Sequence, residues 1–439
     1  MKEVPSKSDP VRRVEDGAGG NYISVHLPAV RERKYFIKRT FREIRANERM
    51  KVPWSKKHKR DFKGKSFSLS NSFANPLSHA ELVELTKTRN DLDLLKEYND
   101  HSLEYTANGG SIDLRQEISK LYGPTITHEN VLVFAGGQVA IQTAAQAFAR
   151  NAHSIVFTPG YQSAVESPEW AMNSTGVTQI PRRADQNWQI DLEQVQAAIR
   201  PDTKYMVINE PYNPGGIVMK QTLQDELVEL CDKHGIVILA DEVYRLLEHD
   251  EQDRIPAMAD AYQRGISCVT MSKPWGACGV TIGWLACPDA GMIEQLWNCQ
   301  YFGTACMSRA SELQAIMVLR ASDTILKDRI SIIRRNKELL MDVIEKKYSD
   351  LFEWRRPNAG AIAFVKFKGP LTTLELGNLL AQRGISIKPA YCFSNEVTKD
   401  IDYFRVGFGE EKMPLALNEF VKVVEDHKAA WRESMHTVS

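Results

Sequence analysis

No apolar run in the 439 residues reaches the length of about 18 that a membrane-spanning helix requires, so the chain is read as having no such segment. Net charge is missing too. The 56 Lys and Arg balance 56 Asp and Glu, which removes the overall footprint of a nucleic-acid or acidic-membrane binder. Cysteine is sparse, seven residues at positions 231, 268, 278, 287, 299, 306 and 392, and their spacings match no metal cluster. An odd number argues for a reducing compartment rather than a disulfide framework. The first 22 residues lack the apolar core of a secretion signal, and Glu3, Asp9 and Glu15 weigh against a transit peptide. A flexible tail over 1–22 and a soluble cytoplasmic protein are expected. No internal repeat or low-complexity tract interrupts the chain.

What is present suffices for a sizeable core, since 43% of residues are hydrophobic and the length suits two domains or one large α/β unit. Charge is uneven locally. Residues 31–65 hold fifteen basic side chains against four acidic ones, interleaved with Tyr35, Phe36, Phe41, Trp54 and Phe62. Three readings stay open for this basic arm (23–67): a helix over 31–48 with an apolar stripe and solvated charges, a basic wall facing an anionic substrate or partner subunit, and a phosphate-backbone binder.

From residue 130 onward short apolar runs alternate with helical periods. Strands are predicted at 131–134, 154–158, 177–180, 205–208, 236–240 and 267–270, with helices at 138–150, 192–199 and 221–234 between them. Further helices are predicted at 82–95 and 111–121. This cadence predicts a mostly parallel sheet covered on both faces by helices, with the chemistry in loops beyond the strands' carboxyl ends. A long helical region over 292–347 leads to strands at 361–366 and 403–408 with a helix at 373–383, a smaller α+β domain. The division expected is a large domain over 68–310 and a small one over 311–439.

The sharpest chemical signal is Thr270-Met-Ser272-Lys273-Pro-Trp-Gly276, a lysine directly after an apolar strand and before a glycine-spaced turn. A lysine desolvated there loses its proton cheaply and becomes a carbonyl-reactive amine. Asp241 follows the strand 236–240, and the run Asn209-Glu-Pro-Tyr-Asn213-Pro-Gly-Gly216 follows 205–208. Phe134-Ala-Gly136-Gly137-Gln138 joins a strand to a helix start, where backbone N–H groups suit a phosphate. Pro159-Gly160-Tyr161 sets an aromatic ring at another strand end. Each alone is ordinary turn chemistry. Five at one sheet edge mark a site.

The combination resembles the fold-type I pyridoxal-phosphate enzymes, specifically the class I/II aminotransferase family, over roughly residues 68–424. The resemblance implies pyridoxal 5'-phosphate as cofactor. By it, Lys273 is the Schiff-base lysine and proton shuttle, and Asp241 pairs with the protonated pyridine nitrogen. Asn213 and Tyr244 hydrogen-bond the ring's phenolic oxygen, and Tyr161 stacks on the ring. The Gly137 and Gln138 backbone, with the Thr270 and Ser272 hydroxyls, holds the phosphate. Tyr105 and Thr304 reach a neighbouring subunit's phosphate, which implies a homodimer with shared active sites. Arg405 clamps the substrate α-carboxylate through a two-pronged pair.

Thr281 departs from the pattern: the family usually has arginine eight residues after the lysine, pairing with the phosphate. Asn213-Pro-Gly-Gly216 likewise lacks the usual threonine. Ser68-Leu-Ser-Asn71-Ser-Phe73-Ala-Asn75-Pro76 stands where ordinary members carry a short substrate loop, and offers Phe73 and Asn75 as substrate contacts. This front region faintly resembles enzymes that form cyclic guanidino amino acids. Tyr22, Tyr35, Tyr212 and Trp275 are further candidates for an aromatic-lined pocket, and Glu210 and Asn71 for meeting a polar or cationic side chain. The expected reaction transfers the amino group of an L-amino acid to a 2-keto acid. The alternative is a cyclase or β/γ-eliminating lyase on a functionalised, guanidino or hydroxylated amino acid, because both use Lys273. No second carboxylate-binding arginine declares itself, so a dicarboxylic substrate is not favoured.

Overall fold

A computed structural model of the chain describes residues 66–438. The expected tail over 1–22 and nearly all of the basic arm lie outside the described residues. The first strand, β1 (Phe67–Ser68), leads into helices His79–Thr88 and Leu92–Asp100. These replace the single helix expected over 82–95. Asn90, at φ 62°, breaks the run, while a Ser78–Glu81 capping box fixes the first helix's start.

Seven strands form the main sheet: β2 (Val131–Phe134), β3 (His153–Thr158), β4 (Gly176–Pro181), β5 (Thr203–Asn209), β6 (Val237–Asp241), β7 (Gly265–Thr270) and β8 (Gly283–Ala286). Their order is β2-β8-β7-β6-β5-β3-β4. All neighbours pair in parallel except β8, which runs antiparallel to both β2 and β7. Every residue of β2, β6, β7 and β8 is buried, as a sheet with helices on both faces demands. One helical layer and its core hold Ile141, Ala144, Val156 and Leu296. The opposite face packs Leu114, Ile118, Trp275, Trp284 and Ile316.

The smaller unit joins β9 (Phe352–Trp354), β10 (Ile362–Phe367), β11 (Ile385–Ser386) and β12 (Tyr403–Gly407) with helices Thr373–Gln382 and Met413–Val438. Its antiparallel sheet has the order β12-β10-β9, and β11 pairs in parallel with β1. The long helical region resolves into helices Ala290–Tyr301, Arg309–Arg320 and Ser322–Met341, followed by a π-helical turn. Helix Ser322–Met341 spans both cores: Ile325 packs in the large unit and Ile333 in the small one. Leu69 and Ala74, from the start of the described chain, also pack in the small unit's core. Among the described residues, no helix is long and apolar enough to cross a membrane.

Candidate active site

The parallel strands deliver their last residues to one edge in register. Asn209 ends β5 opposite Asp241 at the end of β6, and Asp241 lies beside Cys268 of β7, two residues before Thr270. Because β8 runs backwards between β2 and β7, Gly283 faces both Phe134 and Thr270. The start of helix Gly137–Phe148 is thereby set beside Thr270. A side chain at Gly137 would meet the Thr270 Cβ at 3.6 Å.

Asp241 is 1% exposed. Its carboxylate accepts the Val243 N–H, and burial pushes its pKa up to about 7 against the pull of Lys273. Oδ1 has no partner. An unpaired buried carboxylate oxygen is costly, and the protonated ring nitrogen of a pyridoxal group would satisfy it. The pyridoxal cofactor therefore fits this site.

Asn209 organises the same edge. Its Nδ2 donates to the Asp241 carbonyl at 2.7 Å, and its Oδ1 accepts the Asn213 N–H at 2.6 Å. Asn213 Oδ1 in turn accepts from Arg405 Nη1 at 3.0 Å, while Arg405 Nη2 donates to the Ser70 carbonyl at 2.8 Å. Arg405 Nε is buried without a partner. Burial lowers the Arg405 pKa, and the Tyr244 and Tyr161 phenols oppose that shift.

Lys273 Nζ donates to Ser72 Oγ at 2.9 Å. Burial, and then the positive Arg405, push its pKa down to about 8. The neutral, nucleophilic amine is thus populated near neutral pH. The Tyr244 ring is buried, its phenol hydrogen-bonds Ser72, and burial raises its pKa to about 12. Tyr161 is half-buried, its phenol pKa raised by burial and moderated by Ser163.

The phosphate end is built differently. Thr270 Oγ1 lies 3.2 Å from Ser272 Oγ and donates to the Ile282 carbonyl at 3.1 Å. No side chain caps the helix at Gly137, which leaves its first N–H groups for an anion. Gln138 is exposed. Thr281, at φ 57°, is exposed and folds its hydroxyl back to the Gly279 carbonyl.

The remaining expected residues differ in their surroundings. Tyr105 is 96% exposed and Thr304 half-buried; Thr106 Oγ1 donates to the Met307 carbonyl at 2.7 Å and ties the two segments together. Phe73 is half-buried, and Asn75 Oδ1 is engaged by the Glu411 N–H at 3.1 Å. Glu210 is buried and accepts the Met219 N–H at 2.6 Å, away from the lysine. Tyr212 bonds the Pro159 carbonyl and Trp275 bonds Ser322, so both are core. Tyr22 and Tyr35 lie outside the described residues. Sequence reasoning passed over Ser72 and Ser70, both inside the departing 68–76 stretch.

With this geometry in place, the comparisons agree on one class. The family model for aminotransferase class I and II matches residues 72–414, and the chain belongs to that family. It is a pyridoxal-phosphate-dependent enzyme with aminotransferase-family activity. The arginine–pyruvate transaminase of Pseudomonas aeruginosa is 26% identical over 65% of this chain and 73% of its own. Capreomycidine synthase of Streptomyces vinaceus is 25% identical over 58% of this chain and 63% of its own. The crystal structure of a PLP-dependent aminotransferase from Streptococcus suis superimposes with a TM-score of 0.78 at 26% identity, covering 86% of this chain and 99% of the other. The faint cyclase likeness at the front of the sequence thus has a counterpart among the relatives, alongside the transaminases.

Proposed function

We propose that the enzyme moves the amino group of an L-amino acid to a 2-keto acid, with Lys273 as the amine that bonds the cofactor. The observation that carries this is Arg405: buried, beside the lysine, with Nε unpaired. A carboxylate held there is protected from loss as CO2, and the Cα proton becomes the bond presented to Lys273. The cofactor supplies the electron sink that makes this proton acidic. Asp241 would hold its ring nitrogen, Tyr161 its ring face, Asn213 and Tyr244 its phenolic oxygen. Gly137, Gln138, Thr270 and Ser272 would hold its phosphate. Lys273 takes the Cα proton as a neutral amine, a state its lowered pKa provides.

The second reading is cyclisation or elimination on a guanidino or hydroxylated amino acid. It is favoured by capreomycidine synthase among the relatives and by the Ser70–Ser72 segment in place of a short substrate loop. Arginine with pyruvate is the first pair to test, given the arginine–pyruvate transaminase. Purified enzyme is incubated with each L-amino acid, with and without a keto acid, and products are resolved by mass spectrometry. A keto acid formed only when acceptor is present supports transamination. Product formed without acceptor at unchanged amine count rejects it in favour of the cyclase.

A homodimer suits the exposed apolar side chains Leu103, Tyr105, Tyr301 and Phe302, which flank the Thr106–Met307 contact. On this reading Tyr105 and Thr304 reach the other copy's phosphate site. No two of the seven cysteines form a disulfide, which supports a reducing compartment such as the cytoplasm.

A further inference from the structure

Tyr212 stands immediately before Asn213, and its side chain is 2% exposed. Its N–H donates to the Ile217 carbonyl at 2.8 Å, and its carbonyl accepts the Gly216 N–H at 2.7 Å, so a tight turn fixes its backbone. The Arg182 guanidinium lies over the ring, 4.3 Å from its centroid, and Trp188 packs at 6.2 Å. Held this way, the phenol donates to the Pro159 carbonyl at 2.5 Å, 53 residues away in sequence. The neighbouring glycine is matched to the ring. A Cβ at Gly215 would come within 2.8 Å of Tyr212 Cδ1, closer than a packed interior tolerates. Gly215 is the position at which Asn213-Pro-Gly-Gly216 lacks the family's usual threonine. That departure now has a physical reason: the Tyr212 ring occupies the space.

Pro159 opens the turn that carries Tyr161. The Thr158 carbonyl accepts the Arg182 N–H at 2.7 Å, and the Gly160 N–H donates to the Phe393 carbonyl at 2.8 Å. Those two ties join backbone to backbone, and Tyr212 makes the third from a side chain. Tyr161 follows at once, its carbonyl accepting the Ala164 and Val165 N–H groups at 2.9 and 3.1 Å. Burial raises the Tyr161 phenol pKa, and the Asp241 and Arg405 charges reach it with opposite effects. Tyr161 is thus the ring beside the two ionic groups of the site. Resting on the reading of Tyr161 as the ring that stacks on the cofactor, we infer that Tyr212 is a positioning residue whose hydroxyl fixes the Pro159–Tyr161 turn over the cofactor ring. Its backbone leads directly into Asn213, so one residue sets the group at the ring's face and the group at its phenolic oxygen.

The test uses the full-length protein with pyridoxal 5'-phosphate. Equilibrium dialysis gives the cofactor's affinity, and its visible circular dichroism reports the pose of its ring. Tyr161→Ala weakens the dissociation constant about two- to ten-fold, the size of one aromatic stacking, and diminishes the band. Tyr212→Phe keeps the ring and its fit to Gly215 but strands the buried Pro159 carbonyl. It weakens binding about three-fold and diminishes the same band. In the Tyr161→Ala background it adds nothing, because residues that act through one contact are not additive. Losses that multiply in the double variant overturn the inference, since a residue that only supports the core acts independently of Tyr161. So does a Tyr212→Phe protein with the parent's affinity and band. Where Tyr212→Phe does not fold, Gly215→Ala, which presses on the Tyr212 ring, decides by the same two criteria. Tyr161→Ala without effect on either readout defeats the stacking reading and the inference with it, whereas a null at Tyr212 alone defeats only the inference.

Discussion

The two ends of the site are made on opposite plans. At the ring end Asp241, Asn209, Asn213, Tyr244 and Arg405 are all buried, and a continuous chain of hydrogen bonds runs from the Asp241 carbonyl through Asn209 and Asn213 to Arg405. At the end proposed for the phosphate stand hydroxyls and backbone N–H groups, with Thr270 buried and Gly137 and Ser272 half-buried. Among the described residues no guanidinium or ammonium hydrogen-bonds Thr270, Ser272 or Thr281. The contrast follows from what each end must do. Chemistry at the ring depends on defined protonation states, and burial is what moves pKa values. An anchoring phosphate only needs donors, and a helix start provides them without any charge.

This contrast is broken most severely by Asp241→Asn. The amide keeps the shape and the acceptor for Val243 but cannot hold a positive ring nitrogen. Turnover is expected to fall about 10^2- to 10^3-fold, while cofactor affinity changes much less. Steady-state kinetics beside equilibrium dialysis separates the two quantities. A loss in affinity matching the loss in rate would mean that the ring end is an anchor too, and the division of labour would fail.

Thr281→Arg sharpens the comparison from the other end. It restores a cation to a neutral cup, and a charge-assisted bond contributes about 1.5–3 kcal/mol. A ten- to hundred-fold tighter cofactor dissociation constant is expected, with turnover of the saturated enzyme nearly unchanged. Position 281 already adopts a left-handed conformation with a non-glycine residue, so the substitution adds no new backbone strain. Unchanged affinity would show that the phosphate is neutralised from outside the described residues or by a second copy.

The difference between the ends also explains what could be read from the sequence. Six strands of the large sheet were legible as short apolar runs, most of them buried on both faces, and Asn209, Asp241 and Lys273 declare themselves as polar residues at or just beyond such runs. Neither β8, which was not expected as a strand, nor its reversed direction was legible. Gly283-Trp-Leu-Ala286 has the same composition as its parallel neighbours, and direction is set by pairing rather than pattern. The helix break at Asn90 was hidden for a similar reason, since the apolar spacing continues across it. Ser72 was invisible in a subtler way. Its contact depends on residues 69–77 folding back over a lysine 201 residues away, and serine in a polar stretch carries no signal of its own. Glu210 shows the reverse error, a charged residue in a chemical motif that turns away from the site into the core.

That buried acid supplies the smallest effect and a test of how dry the ring end is. Burial raises Asp241 and Glu242 to about 7, and Glu210 to about 8. Each folded-state pKa lies above its unfolded value, so the stability they contribute is complete below about pH 4 and is lost as pH rises through 7 to 8. Lys273 runs the other way in a higher window. Its folded pKa is depressed to about 8 from 10.5, so its contribution is complete above 10.5 and lost as pH falls through 8. The thermal midpoint of the cofactor-free protein should therefore fall between pH 5 and 8 and recover partly above it. Glu210→Gln keeps the acceptor for the Met219 N–H while removing the ionisation cost. It should raise the midpoint at pH 8 by about 1 °C for each kcal/mol relieved, and leave it nearly unchanged at pH 4. Calorimetry at the two pH values decides. A variant indistinguishable from the parent at pH 8 would mean that water reaches the unpaired Glu210 oxygen, and that the sheet edge behind Asp241 is wetter than its burial indicates.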